Sequence, residues 1–120
     1  MKIDRFEDII AWQKAKELAI TIYNIFSDSR DFGFKDQIQR SAISVMNNIA
    51  ERFERRTNNE FMHFLYIAKG SCGELRSMII IANELNKISK EDFRAIYTLS
   101  EEISMMLSGL IKTLYPKKTL

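Results

Sequence analysis

The sequence predicts an all-α protein, an antiparallel up-and-down four-helix bundle. Apolar residues recur at three- and four-residue steps over four long stretches, and no strand-like alternation competes with them. Only four Gly and one Pro fall in 120 residues. The breaks between stretches are short and turn-like, which makes sequential helices antiparallel neighbours. The length suits a single domain spanning 1–120, able to bury roughly two-thirds of its unfolded surface.

The first helix is expected over about 7–26. Phe6, Ile9, Trp12, Ala15, Leu18, Ala19, Ile22, Tyr23 and Phe26 form its stripe, with Asp4 and Glu7 as a capping pair. The run Ser27 to Gly33 reads as a turn. The second helix follows over about 34–56, with Ile38, Ala42, Val45, Ile49 and Phe53 inward. Thr57 and Glu60 match a capping box, so a third helix is expected over about 58–86. Its stripe runs Phe61, Phe64, Leu65, Ala68, Cys72, Leu75, Met78, Ile79, Ala82 and Leu85. Ser89 and Asp92 cap the fourth helix, about 90–114, which carries Phe93, Ile96, Tyr97, Ile103, Met106, Leu107, Leu110, Ile111 and Leu114. Pro116 stops it, because proline has no amide hydrogen to donate. Helices of this length are about 30 Å long.

Composition excludes several classes. With 46% apolar and 28% charged residues the chain is not disordered. A single cysteine excludes a disulfide framework and a Cys-rich zinc site. The charged start Met-Lys-Ile-Asp-Arg does not read as a signal peptide, and no apolar run, that from Met78 to Ala82 included, comes near the length of a membrane span. The expectation is a cytoplasmic protein with no membrane partner. Eighteen basic against sixteen acidic residues give a net charge of +2, which permits nucleic-acid binding without indicating it.

Three features of the stripes carry functional expectations. Met78 to Ala82 covers more than one face of a helix, so Ile80 and Ile81 point away from the core. Single exposed apolar residues are common, but a patch marks an interface, and Met62, Tyr66, Ile80 and Ile81 are assigned to a subunit contact. Gly70, Ser71 and Gly73 interrupt the same helix, where each glycine costs about 1 kcal/mol relative to Ala. Close approach of another backbone is the expected reason. Cys72 lies on the core stripe and reads as a small buried hydrophobe rather than a nucleophile. On the second helix, Arg40, Ser44, Asn47, Asn48, Glu51 and Arg55 share a polar side. A solvated face or a phosphate-binding ridge are the two readings, and the nearby acids favour the first.

The segments Phe6 to Ala15, Gln37 to Ser44 followed by Asn48-Ile49-Ala50-Glu51, and Glu60-Phe61 through Ala68-Lys69-Gly70-Ser71 to Glu74-Leu75 resemble, in this order, the 23S rRNA intervening-sequence proteins. The resemblance extends from about Phe6 to Leu114. It implies a four-helix bundle assembling as a homopentamer. A related branch, the accessory protein of diversity-generating retroelements, binds nucleic acid and a reverse transcriptase. The family usually has Gly after Ala-Glu, where this chain has Arg52, which gathers Arg52, Arg55 and Arg56. Arg40, Ser44, Asn48, Glu51 and Glu74 are the signature's polar positions. A register-fixing network is their expected role, with an Arg40–Glu74 contact as one concrete form.

No catalytic set emerges. His63 is the only histidine and lies opposite the apolar stripe. It has no companion ligands for a metal and no nucleophile–acid partners. Histidine phosphotransfer domains share the bundle and a Lys-Gly-Ser element, matched here by Lys69-Gly70-Ser71. His63 stands six residues before that lysine instead of three, and Tyr66 holds the histidine position. The expectation is therefore a non-enzymatic oligomeric module without cofactor or metal, binding RNA or a ribonucleoprotein. Candidate phosphate contacts are Lys35, Arg40, Arg52, Arg55, Arg56, Lys112, Lys117 and Lys118. The alternative is a structural adaptor for a protein partner with no nucleic-acid role.

Overall fold

The computed structural model describes residues 5–54 and 58–114. Residues 55–57, and with them Thr57 of the expected capping box, and residues 115–120 lie outside the described part. Four helices form: α1 (Ile10–Ile25), α2 (Phe32–Glu54), α3 (Asn58–Glu84) and α4 (Lys90–Leu114). Each packs on two neighbours, α1 on α2 and α4, α3 on α2 and α4, with no packing across either diagonal among the described residues. The result is the expected antiparallel bundle, about 52 × 28 × 24 Å. The core is filled by side chains at zero exposure, among them Leu18, Ile22, Ile38, Ile49, Leu65, Leu75, Ile79, Ile96, Ile103 and Leu107. Each contributes about 1.5–3 kcal/mol of transfer free energy.

The ends depart from expectation for local reasons. Phe6–Asp8 forms a separate 3₁₀ turn, and Ile9 adopts an extended conformation, so α1 begins at Ile10 rather than near Glu7. Leaving the helical path lets Ile9 reach the core at 4% exposure. Phe6 packs edge-on against Trp12 with centroids 5.2 Å apart, and Gln13 Nε2 donates to the Glu7 carbonyl at 2.9 Å. Asp4 lies outside the described residues. α2 begins at Phe32, because Asp31 accepts from the Phe34 amide at 3.2 Å and its carbonyl accepts from Lys35. α3 ends at Glu84, before the expected 86. Asn86 takes φ 57°, the Lys87 amide donates to the Ala82 carbonyl and the Asn86 amide to that of Asn83. This is a Schellman closure with asparagine in the left-handed position. The Ser89 cap forms as expected, accepting from the Asp92 amide at 3.0 Å.

Two stripe residues are not core. Tyr23 is 44% exposed and Leu85 60% exposed. Tyr23 lies on α1 beside a groove shared with α2, and Leu85 follows the last residue of α3.

Candidate functional site

The signature residues of α2 face α3 across a polar seam. Ser41 Oγ donates to Glu74 Oε1, and Gln37 Nε2 donates to Glu74 Oε2 at 3.0 Å. One turn on, the Ser44 and Ser71 hydroxyls share a hydrogen bond of 2.8 Å. Asn48 Nδ2 donates to the Ser44 carbonyl at 2.8 Å and to its hydroxyl at 3.1 Å. Ser41 is buried, and Ser44, Asn48 and Ser71 are half-buried. Paired donors and acceptors at these positions fix the axial register of α2 against α3, because a slip by one turn would strand them.

The anticipated Arg40–Glu74 contact is not made. Arg40 follows a neighbouring direction on the helix, 100° from Ser41, and points outward. Its guanidinium pairs with Asp36 one turn back at 2.9 Å, with both side chains largely exposed. Such a pair adds little stability. Glu51 is half-buried near the end of α2. Gln37, Ser41 and Ser71 do the bridging instead. All three lie within the signature segments, but only their partners across the helix pair reveal their role.

The basic candidates do not form one ridge. Lys35 bends back to the turn before α2, donating to the Ser27 carbonyl at 2.8 Å. Arg52 is half-buried in the last turn of α2, and burial pulls its guanidinium below its ordinary value. Lys112 is exposed in the last turn of α4. Antiparallel order brings the C-terminal turns of α2 and α4 to the same end of the bundle, so Arg52 and Lys112 share that end. Lys35 is at the other, about 25 Å away along α2. Arg55, Arg56, Lys117 and Lys118 lie outside the described residues.

On the outer side of α3, Tyr66 is 48%, Ile80 44% and Ile81 51% exposed, and Met62 is half-buried. Gly70 and Gly73 lie between them. A methyl group at Gly70 would meet nothing within 4 Å, and one at Gly73 only the tip of Arg76 at 3.9 Å. No helix of this chain therefore uses the close approach that glycines allow, which corrects that expectation for the single chain. A second apolar surface was missed from sequence. Lys16, Ala19, Ile20, Tyr23, Asn24, Ile43 and Met46 line a groove of about 330 Å³ between α1 and α2. Ile20, 53% exposed, and Ile43 are apolar residues off their helices' core stripes, and they were its signal. A deeper cleft of about 590 Å³ lies at the far end of the bundle, among Phe26, Phe34, Ile81 and Leu85 with Arg30 and Lys87.

His63 is exposed and stacks edge-on against Phe64 at 5.4 Å. Cys72 is fully buried, and burial pushes its thiol up to about 11. No group of three or more His, Cys, Asp and Glu side chains among the described residues is arranged to hold a metal ion. No described helix is long and apolar enough to cross a membrane.

These features define a register-locked four-helix bundle with exposed apolar surfaces. The chain belongs to the 23S rRNA-intervening sequence protein family, whose model matches residues 7–109. It is also similar to a crystal structure of a protein of unknown function from the S23 ribosomal protein family of Bacteroides thetaiotaomicron. The TM-score is 0.81 at 26% identity, over 86% of this chain and 99% of that one. Among curated proteins none matches.

Proposed function

We propose that the protein is a non-enzymatic, self-associating module that binds RNA or a ribonucleoprotein through the end of the bundle where α2 and α4 terminate. The observation that supports this most directly is the placement of Arg52 and Lys112 at that shared end. Arg55 and Arg56 continue the sequence beyond α2, and Lys117 and Lys118 beyond α4. Arginine and lysine there meet phosphates, so binding is largely independent of base sequence and weakens with salt. Arg40 contributes less, since Asp36 already pairs with it, and Lys35 stands apart at the opposite end. The exposed Tyr66, Ile80 and Ile81, with Met62 beside them, support self-association, and the family resemblance supports a pentamer.

The test is fluorescence anisotropy with a structured RNA over a salt series. The wild-type protein is expected to bind with log K falling linearly in log salt. A variant with Arg52, Arg55 and Arg56 changed to Gln is expected to bind more weakly with a shallower slope, while keeping its helical circular dichroism. Unchanged binding in that variant removes this end from the reading. No binding by wild type at low salt removes RNA altogether and leaves the adaptor reading, which the exposed apolar residues favour.

A further inference from the structure

The cleft between the α1–α2 turn and the end of α3 plays no part in the function proposed above. It lies where α2 begins, at the opposite end of the bundle from Arg52 and Lys112. Its volume of about 590 Å³ falls in the range of sites that take small organic molecules. Phe26 and Phe34 lie side by side in its lining, with ring centroids 5.6 Å apart and planes tilted by 53°. Phe26 is buried, while Phe34 is half-buried and leaves part of its ring open. Ile81 and Leu85, one helical turn apart on α3, form another wall and are 51% and 60% exposed. Open apolar side chains gathered in a concavity are what a small ligand covers, because it touches several of them at once.

Both turns at the cleft are held by their own hydrogen bonds. The Ser29 amide donates to the Phe26 carbonyl at 3.1 Å, and Ser29 Oγ accepts from the Asp31 amide at 3.3 Å. Asp31 caps α2 through the Phe34 amide. On the α3–α4 turn, the Lys87 amide donates to the Ala82 carbonyl at 2.8 Å. A preformed cleft asks little ordering of a ligand.

The lining balances in formal charge, Arg30 and Lys87 against Asp28 and Asp31, but the four groups differ in what they already hold. The Asp31 carboxylate is engaged at the positive end of α2, which offsets its charge. The Arg30 guanidinium and the Lys87 ammonium make no ion pair or side-chain hydrogen bond among the described residues. Two uncommitted cations, one on each turn, therefore stand against the carboxylate of Asp28.

We infer that this cleft is a binding site for a small amphipathic organic anion, an aromatic or branched apolar body carrying one carboxylate. The body lies against Phe34, Ile81 and Leu85. The carboxylate sits at the mouth, taken by the fork of Arg30 from one turn and by the ammonium of Lys87 from the other. Nothing in this depends on RNA binding or on self-association.

A matched pair of dyes tests it. In 8-anilinonaphthalene-1-sulfonate the sulfonate stands in for the carboxylate, and N-phenyl-1-naphthylamine has the same rings without the anion. With wild type, the sulfonate dye is expected to brighten and shift to the blue, to saturate at one per chain, and to bind about tenfold more tightly than the neutral dye. Arg30→Gln with Lys87→Gln is expected to remove that difference and leave the neutral dye unchanged. Ile81→Gln with Leu85→Gln is expected to weaken both dyes, and Ile20→Gln, in the α1–α2 groove, to weaken neither. All five residues are exposed, so each variant should keep its helical circular dichroism. A wild type that brightens neither dye overturns the site. Binding that survives Ile81→Gln with Leu85→Gln but is lost in Ile20→Gln puts the dye in the groove and also overturns it. Equal affinity for the two dyes, or a difference that persists in Arg30→Gln with Lys87→Gln, overturns the choice of an anion.

Discussion

Glu74 carries more of the fold than an exposed glutamate normally does. Its two oxygens each accept from a different α2 residue, Ser41 and Gln37, across the helix pair. Hydrogen bonds to a charged acceptor are stronger than neutral ones, although partial exposure discounts these. Glu74→Ala is expected to cost about 1 kcal/mol, because Ser41 is buried and loses its cross-helix acceptor. It should lower the thermal midpoint by a few degrees, with Glu74→Gln retaining part of the difference. Cys72 offers a second residue-level test. The folded thiol holds its proton up to about 11, whereas an exposed thiol releases it near 9. Stability from this difference is complete below pH 9 and is lost as pH rises towards 11. Urea midpoints at pH 8 and pH 10.5 should therefore diverge more in wild type than in Cys72→Ala, the comparison that subtracts the other titrating groups. Thiol reagents at pH 8 should label Cys72 at the rate of opening of the fold.

At the scale of elements, α3 holds the most informative contrast. Gly70 and Gly73 lie inside a 27-residue helix with room for side chains. In a monomeric background such as Ile80→Lys with Ile81→Lys, Gly70→Ala and Gly73→Ala should each raise stability by about 1 kcal/mol in thermal unfolding. In the self-association proposed above, the same changes should reduce the assembly's mass at a given concentration if a second backbone uses that space. Stabilisation in both backgrounds would remove the glycines from any interface. The helices themselves were legible in sequence because a 3.6-residue period over 16 to 27 residues is a long signal. The Ser89 cap was legible because serine before a helix has one common use. What the period could not give is which neighbour a side chain meets. Arg40 and Ser41 are adjacent in the chain, yet one reaches Asp36 and the other reaches α3. The α1–α2 groove was hidden for the same reason, since Ile20 and Ile43 become one surface only after two helices are placed side by side.

At the scale of the whole molecule, the antiparallel order decides what shares an end. The turns after α1 and after α3 close one end, where Asp31, Ser89 and Asn86 supply caps. The last turns of α2 and α4 occupy the other. In any cyclic assembly, equivalent ends of all copies lie in one plane, so the basic turns would form a circle facing a single direction. On the function proposed above, each copy's grip on a phosphate chain would be weak alone. Once one subunit holds an RNA, however, the remaining subunits meet it at an effective concentration far above bulk, and the gains multiply. Subunit dissociation should then lower RNA affinity by much more than the loss at any one subunit's contacts, with every arginine still in place.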